Sequence, residues 1–85
     1  MNAERESLIR KVLATHARLS RDVATLLRSD DLYESGMTSH ASVNVMLGLE
    51  DAFEIEFPDI MLNRAVFSSI DAIDAALVKL IARGA

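Results

Sequence analysis

Apolar residues recur at helical spacing in three stretches of this chain, separated by mixed or polar stretches. Leu8, Ile9, Val12, Leu13 and then His16 fall on one side of a helix predicted over about residues 3–18. His16 is expected to be a partly buried member of that helix. Residues 19–38 carry Ser, Asp and Gly with scattered apolar groups: Leu26, Leu27, Leu32, Tyr33 and Met37. A connection this long in a small domain is expected to dock its own apolar side chains on the core. A second helix is predicted from about Ser39 to Phe53, with Thr38 or Ser39 as its capping residue. Val43, Val45, Met46, Leu47, Leu49, Ala52 and Phe53 leave that helix little purely polar surface. It is therefore expected to be central, or to show an apolar patch to a partner. Gly48 in its middle costs about 1 kcal/mol relative to Ala, which close approach by another helix or by a partner would explain.

Pro58 ends the next segment, and residues 60–65 are expected to form one short turn of helix. Ser68 followed by Asp71 reads as a capping-box variant opening a last helix. Ile70, Ile73, Leu77, Leu80 and Ile81 line one face of it, with Gly84 just past its end. No stretch shows β-type alternation. The predicted architecture is all-α, a four-helix bundle of three long helices and one short, with a long first loop, in a single domain over residues 1–85.

Composition narrows the function classes. With 85 residues, 51% of them hydrophobic, the core is thin and leaves little room for a deep catalytic cleft. The absence of cysteine removes a disulfide framework, a thiolate nucleophile and a zinc knuckle. The charged start Met1-Asn2-Ala3-Glu4-Arg5-Glu6 lacks the apolar run of a signal peptide. No apolar stretch approaches the roughly 20 residues that cross a bilayer. A cytoplasmic monomer with no membrane partner is expected.

The net charge of −4 is unevenly spread. Residues 1–29 carry six basic and three acidic groups, and residues 60–85 carry three basic and two acidic. Residues 30–59 hold Asp30, Asp31, Glu34, Glu50, Asp51, Glu54, Glu56 and Asp59 with no Lys or Arg. That middle third would repel nucleic acid and attract a basic protein partner, or serve simply as a solvated acidic face.

The chemistry concentrates in Asp31-Leu32-Tyr33-Glu34-Ser35-Gly36-Met37-Thr38-Ser39-His40. A serine at a loop-to-helix junction has an accessible hydroxyl, and unpaired N–H groups at a helix start favour a phosphodiester. Gly36 can supply an unusual backbone angle for the turn. On position alone Ser39 could equally be an N-cap or first-turn serine. The stretch resembles the acyl carrier protein signature, Asp-Leu-(aromatic)-Glu-x-Gly-(apolar)-Asp-Ser-Leu. A second landmark lies in register without a gap: Glu50-Asp51-Ala52-Phe53-Glu54-Ile55-Glu56-Phe57-Pro58-Asp59 is similar to that family's acidic helix end followed by Ile-x-(apolar)-Pro. The match continues to Phe67-Ser68-Ser69-Ile70. The resemblance implies that Ser39 carries 4′-phosphopantetheine, taken from coenzyme A by a phosphopantetheinyl transferase.

Two positions depart from that pattern. Thr38 stands where the family has Asp, which still caps a helix but removes a carboxylate beside the modification site. His40 stands where the family has Leu, at a position that faces partner enzymes in the family. It is read as a surface contact for a particular partner, with pH-dependent affinity as the sharper alternative.

Ala41-Ser42-Val43, Met46-Leu47-Gly48, Leu62-Asn63-Arg64 and Phe67 look most like the small stand-alone bacterial aminoacyl carrier proteins. That resemblance implies loading by an amino acid:carrier-protein ligase similar to a truncated class II aminoacyl-tRNA synthetase. It also implies cargo such as glycine or alanine, and a downstream acyl acceptor enzyme. The thiol would come from the prosthetic group, in keeping with a chain that has no cysteine.

His40, Asn44, Leu47, Gly48 and Asp51 share one helix face, the face that docks partner enzymes in the family. Leu47 is then an exposed apolar anchor, or else core; Asp51 is a steering charge. Arg64 either touches a partner or pairs with a nearby carboxylate. Other classes remain open: a fatty-acid or polyketide acyl carrier, and an unmodified helical protein-interaction domain. Intrinsic catalysis is disfavoured, because adjacent Ser39 and His40 project about 100° apart on a helix. A metal site is disfavoured because the acidic groups lack the alternating-ligand loop of a calcium site.

Overall fold

The computed structural model describes residues 2–82. Three α-helices form the bundle: α1 (Ala3–His16), α2 (Ser39–Phe53) and α3 (Ile70–Ala82). No strand occurs among the described residues. α1 packs against both other helices. Ile9 and Leu13 of α1 meet Val45 and Leu49 of α2 and Ile70, Ile73 and Leu77 of α3 in one fully buried cluster.

Local chemistry sets the helix ends. The Asn2 side chain accepts from the Arg5 N–H at 3.0 Å, and Glu4 and Glu6 sit in the first turn, where a carboxylate suits the helix dipole. α1 ends at His16, short of the predicted boundary, because the chain turns left-handed at Arg18 with φ 53°. α3 is capped one residue later than expected. The Ser69 hydroxyl, not that of Ser68, accepts the Ala72 N–H at 3.1 Å, while Ser68 donates its hydroxyl back to the Ala65 carbonyl. Ile81 is exposed rather than buried: it shares the face of Ile70 and Leu77 but falls at the end of α3. Gly84 lies outside the described residues.

The expected short helix over residues 60–65 does not form. A 3₁₀ turn at Asp59–Met61 stops when Leu62 leaves helical geometry at ψ 70°. The Asn63 side chain then accepts from the Val66 N–H at 3.1 Å and shapes a separate turn.

The first connection does dock on the core, and holds a second 3₁₀ turn at Val23–Thr25. Leu26, Leu32 and Met37 are buried. Leu32 donates its N–H to the Ser68 carbonyl at 2.7 Å, and Asp71 donates to the Arg28 carbonyl at 3.0 Å, which ties the connection to the start of α3. Arg10 reaches from α1 to the carbonyls of Val23 and Leu26, and Glu6 receives both Arg10 and Arg28. Arg5 of α1 forms an ion pair with Asp74 of α3. The hydrogen bond to Asp74 holds the Arg5 guanidinium above its usual pKa, so it stays charged.

Candidate functional site around Ser39

The segment before α2 is built to end on an exposed serine. The Asp31 carboxylate accepts the N–H groups of Tyr33 and Glu34 and starts a tight turn. Gly36 completes it at φ 116°, where a Cβ would also lie 3.0 Å from the Ser20 backbone nitrogen. Met37 plugs into the core, and Thr38 caps α2 by accepting the Ala41 N–H on its hydroxyl at 3.0 Å. Ser39 is the first helical residue and is exposed. Because Thr38 caps the helix, the Ser39 hydroxyl is spared that role and takes part in no hydrogen bond among the described residues. As first-turn groups, the N–H of Ser39 and of His40 have no acceptor within the helix. An exposed hydroxyl beside two such donors can be esterified by a phosphate and can then hold its oxygens.

An open cleft of about 460 Å³ runs along α2 from Ser39. Val43 and Met46 form one wall, and Tyr33, Leu62, Asn63, Arg64 and Phe67 close the other. Phe67 is held from behind by an edge-on contact with Phe57, with ring centroids 5.3 Å apart. Arg64 does not pair with a carboxylate among the described residues. Its guanidinium lies 3.9 Å from the centroid of the Tyr33 ring.

The proposed docking face divides. His40 and Asp51 are exposed, Asn44 is half-buried, and Leu47 is 52% exposed, which excludes the reading of Leu47 as core. Gly48 is at the α1 edge of that face. A Cβ there would lie 2.7 Å from His16 Cδ2 and 2.9 Å from Val12 Cγ1, so the close approach that explains this glycine is by α1. His16 is partly buried, as expected.

Sequence reasoning missed the cleft, although the apolar residues round most of α2 were its signal. It also missed Glu50, whose carboxylate accepts the Phe57 N–H at 2.9 Å and shapes the chain's return after α2. The acidic middle is therefore only partly a solvated face. Asp30, Asp31 and Glu50 bind backbone, while Glu34, Asp51, Glu54, Glu56 and Asp59 are exposed.

In fold, this is a carrier protein. The chain superimposes on a carrier protein from Agrobacterium tumefaciens, crystallised with an engineered Bradyrhizobium japonicum glycine:carrier protein ligase and ATP. The TM-score is 0.87 at 45% identity, covering 89% of this chain and 99% of that one. A related complex with AMP gives a TM-score of 0.84 at 49% identity, over 88% of this chain and 99% of that one. No protein-family model matches. The chain is also 51% identical to an aminoacyl carrier protein of Agrobacterium fabrum strain C58 over 76 residues, 89% of this chain and 90% of that protein. It belongs to the aminoacyl carrier protein family.

Proposed function

We propose that Ser39 is the attachment site of 4′-phosphopantetheine and that the chain carries an aminoacyl group for transfer to an acceptor enzyme. The observation that carries this reading is the division of labour at the start of α2, where Thr38 caps the helix and Ser39 keeps an exposed hydroxyl. The residues present fit the group: the oxygen to be esterified faces water, and the Ser39 and His40 N–H groups can receive phosphate oxygens. The group supplies a terminal thiol able to hold an aminoacyl moiety as a thioester, which this cysteine-free chain cannot supply itself.

The chain contributes attachment and recognition, not catalysis. His16 lies against Gly48 on the α1 side of α2, and His40 follows Ser39 at about 100° round the helix, so neither is well placed as a base for the serine. Three enzymes act on the chain in turn. They are a phosphopantetheinyl transferase drawing on coenzyme A, a synthetase-like amino acid:carrier-protein ligase drawing on ATP, and a downstream acyl acceptor enzyme. The working location is the cytoplasm. Exposed His40, Leu47 and Asp51, with half-buried Asn44, form the docking face, and Thr38 lies at the edge read by the transferase. A fatty-acyl or polyketide cargo is the second reading, favoured by the open apolar cleft beside Ser39.

Intact mass tests the assignment. Incubation with coenzyme A and a broad-specificity transferase should add one phosphopantetheinyl group mapping to Ser39. A later step with ligase, ATP and glycine or alanine should add one aminoacyl group. Ser39→Ala should remain folded and gain neither; covalent loading of that variant would move the site elsewhere.

A further inference from the structure

The cleft beside Ser39 differs in charge from the segment around it. Residues 30–59 hold eight acidic groups and no base. Yet among the described residues no carboxylate lines the cleft, and its one charged wall is Arg64. That guanidinium rests on the Tyr33 ring and forms no ion pair among the described residues. An aromatic face holds a guanidinium without neutralising its charge. Val43, Met46, Leu62 and Phe67 make the remainder largely apolar.

An aminoacyl thioester carries an α-ammonium group close to its carbonyl. In the cleft that ammonium would give up water, find no carboxylate and face a like charge. A short uncharged acyl group has the opposite balance, since it gains from leaving water and brings no charge to desolvate. Resting on the reading of Ser39 as the attachment site, we infer that the cleft sorts cargo by charge. A short uncharged acyl group on the chain's own arm folds into it, an aminoacyl group stays in water, and Arg64 on Tyr33 sets the preference. The aminoacyl group is thereby left open to the acceptor enzyme, and an uncharged group loaded in error is withdrawn.

The test loads the full chain through the transferase with alanyl, N-acetylalanyl and butyryl derivatives of coenzyme A. Intact mass reports loading first, so a failure to load overturns the attachment reading itself, before charge enters. NMR shifts of Val43, Met46, Leu62 and Phe67 are then compared with those of the free-thiol form. Butyryl and N-acetylalanyl groups should move these signals, and the alanyl group should leave them in place. In Arg64→Glu the alanyl group should now move them, and Arg64→Gln should respond in between. Hydrolysis is a second readout, each thioester being compared with the same thioester on free pantetheine. Butyryl should be protected several-fold on the chain and alanyl not at all. The inference is overturned if the alanyl group moves the cleft signals as far as butyryl does in the unaltered chain. It is equally overturned if neither uncharged group moves them. Should Arg64→Glu fail to fold by far-ultraviolet circular dichroism, the alanyl against N-acetylalanyl comparison in the unaltered chain decides alone.

Discussion

Leu47 and Leu49 lie two residues apart on α2, with the same side chain and opposite surroundings. Leu49 is fully buried in the core, on the side of α2 that also holds Val45 and Ala41. Leu47 is half exposed, one turn along from Val43, which is half exposed on the cleft. Hydrophobicity does not separate these sides; what covers them does. The inward side of α2 is covered by α1, which approaches so closely at Gly48 that a Cβ would clash with His16 and Val12. The outward side faces Tyr33 and the irregular segment after Pro58 across an open cleft. One side of the helix holds the bundle together, and the other presents apolar surface beside the serine.

Substitutions can break this contrast, and the largest effect belongs to the inward side. Leu49→Ala removes a fully buried side chain from the middle of a thin core and should cost about 2–5 kcal/mol of stability by urea unfolding. Loading of the residual folded protein should persist, because Ser39 lies at the other end of α2. Preserved stability would mean that α2 is not held by its inward side.

An intermediate effect is expected at the helix start. Thr38→Ala removes the acceptor of the Ala41 N–H and should cost about 1 kcal/mol. Thr38→Asp should keep the cap and place a favourable carboxylate at the positive end of α2. Equal stability of Thr38→Ala and the unaltered chain, by the same unfolding measurement, would show that Thr38 contributes no useful cap. The Ser39 hydroxyl would then have no demonstrated relief from that task.

The main helices were readable from apolar spacing because each has a covered stripe. α2 was the hardest to interpret, although its bounds were predicted well. Its apolar residues run round most of the helix, and spacing alone cannot say which of them another element will cover. Ser39 is singled out by a local sequence pattern that reaches it from both sides, and the structure places it exposed at the start of α2. The Tyr33–Arg64 stack was not readable, since the two residues are distant in the chain and meet only after the segment following α2 folds back. The short fourth helix failed for a local reason that propensity does not display. Asn63 captures the Val66 N–H with its side chain, and Leu62 turns out of helical geometry before a second turn can form. Ser68 and Ser69 offered the same hydroxyl at adjacent positions, and only the fold shows that Ser69 caps α3 while Ser68 turns back to the Ala65 carbonyl.

The smallest change in stability is expected at Leu47, and that is what makes it informative. Truncating a half-exposed side chain should alter stability by no more than about 0.5 kcal/mol. If this side of α2 docks the ligase, Leu47→Ala should nonetheless weaken binding by about 1 kcal/mol or more, roughly fivefold in Kd, because an apolar side chain enclosed at an interface loses water that it keeps in the free chain. Asp51→Asn would act differently. An exposed charge chiefly changes the rate of encounter and its salt dependence, so that variant should slow association at low salt and approach the unaltered chain at high salt. Titration calorimetry and stopped-flow binding to the ligase separate the two. Unchanged affinity in Leu47→Ala would remove this exposed leucine from the interface.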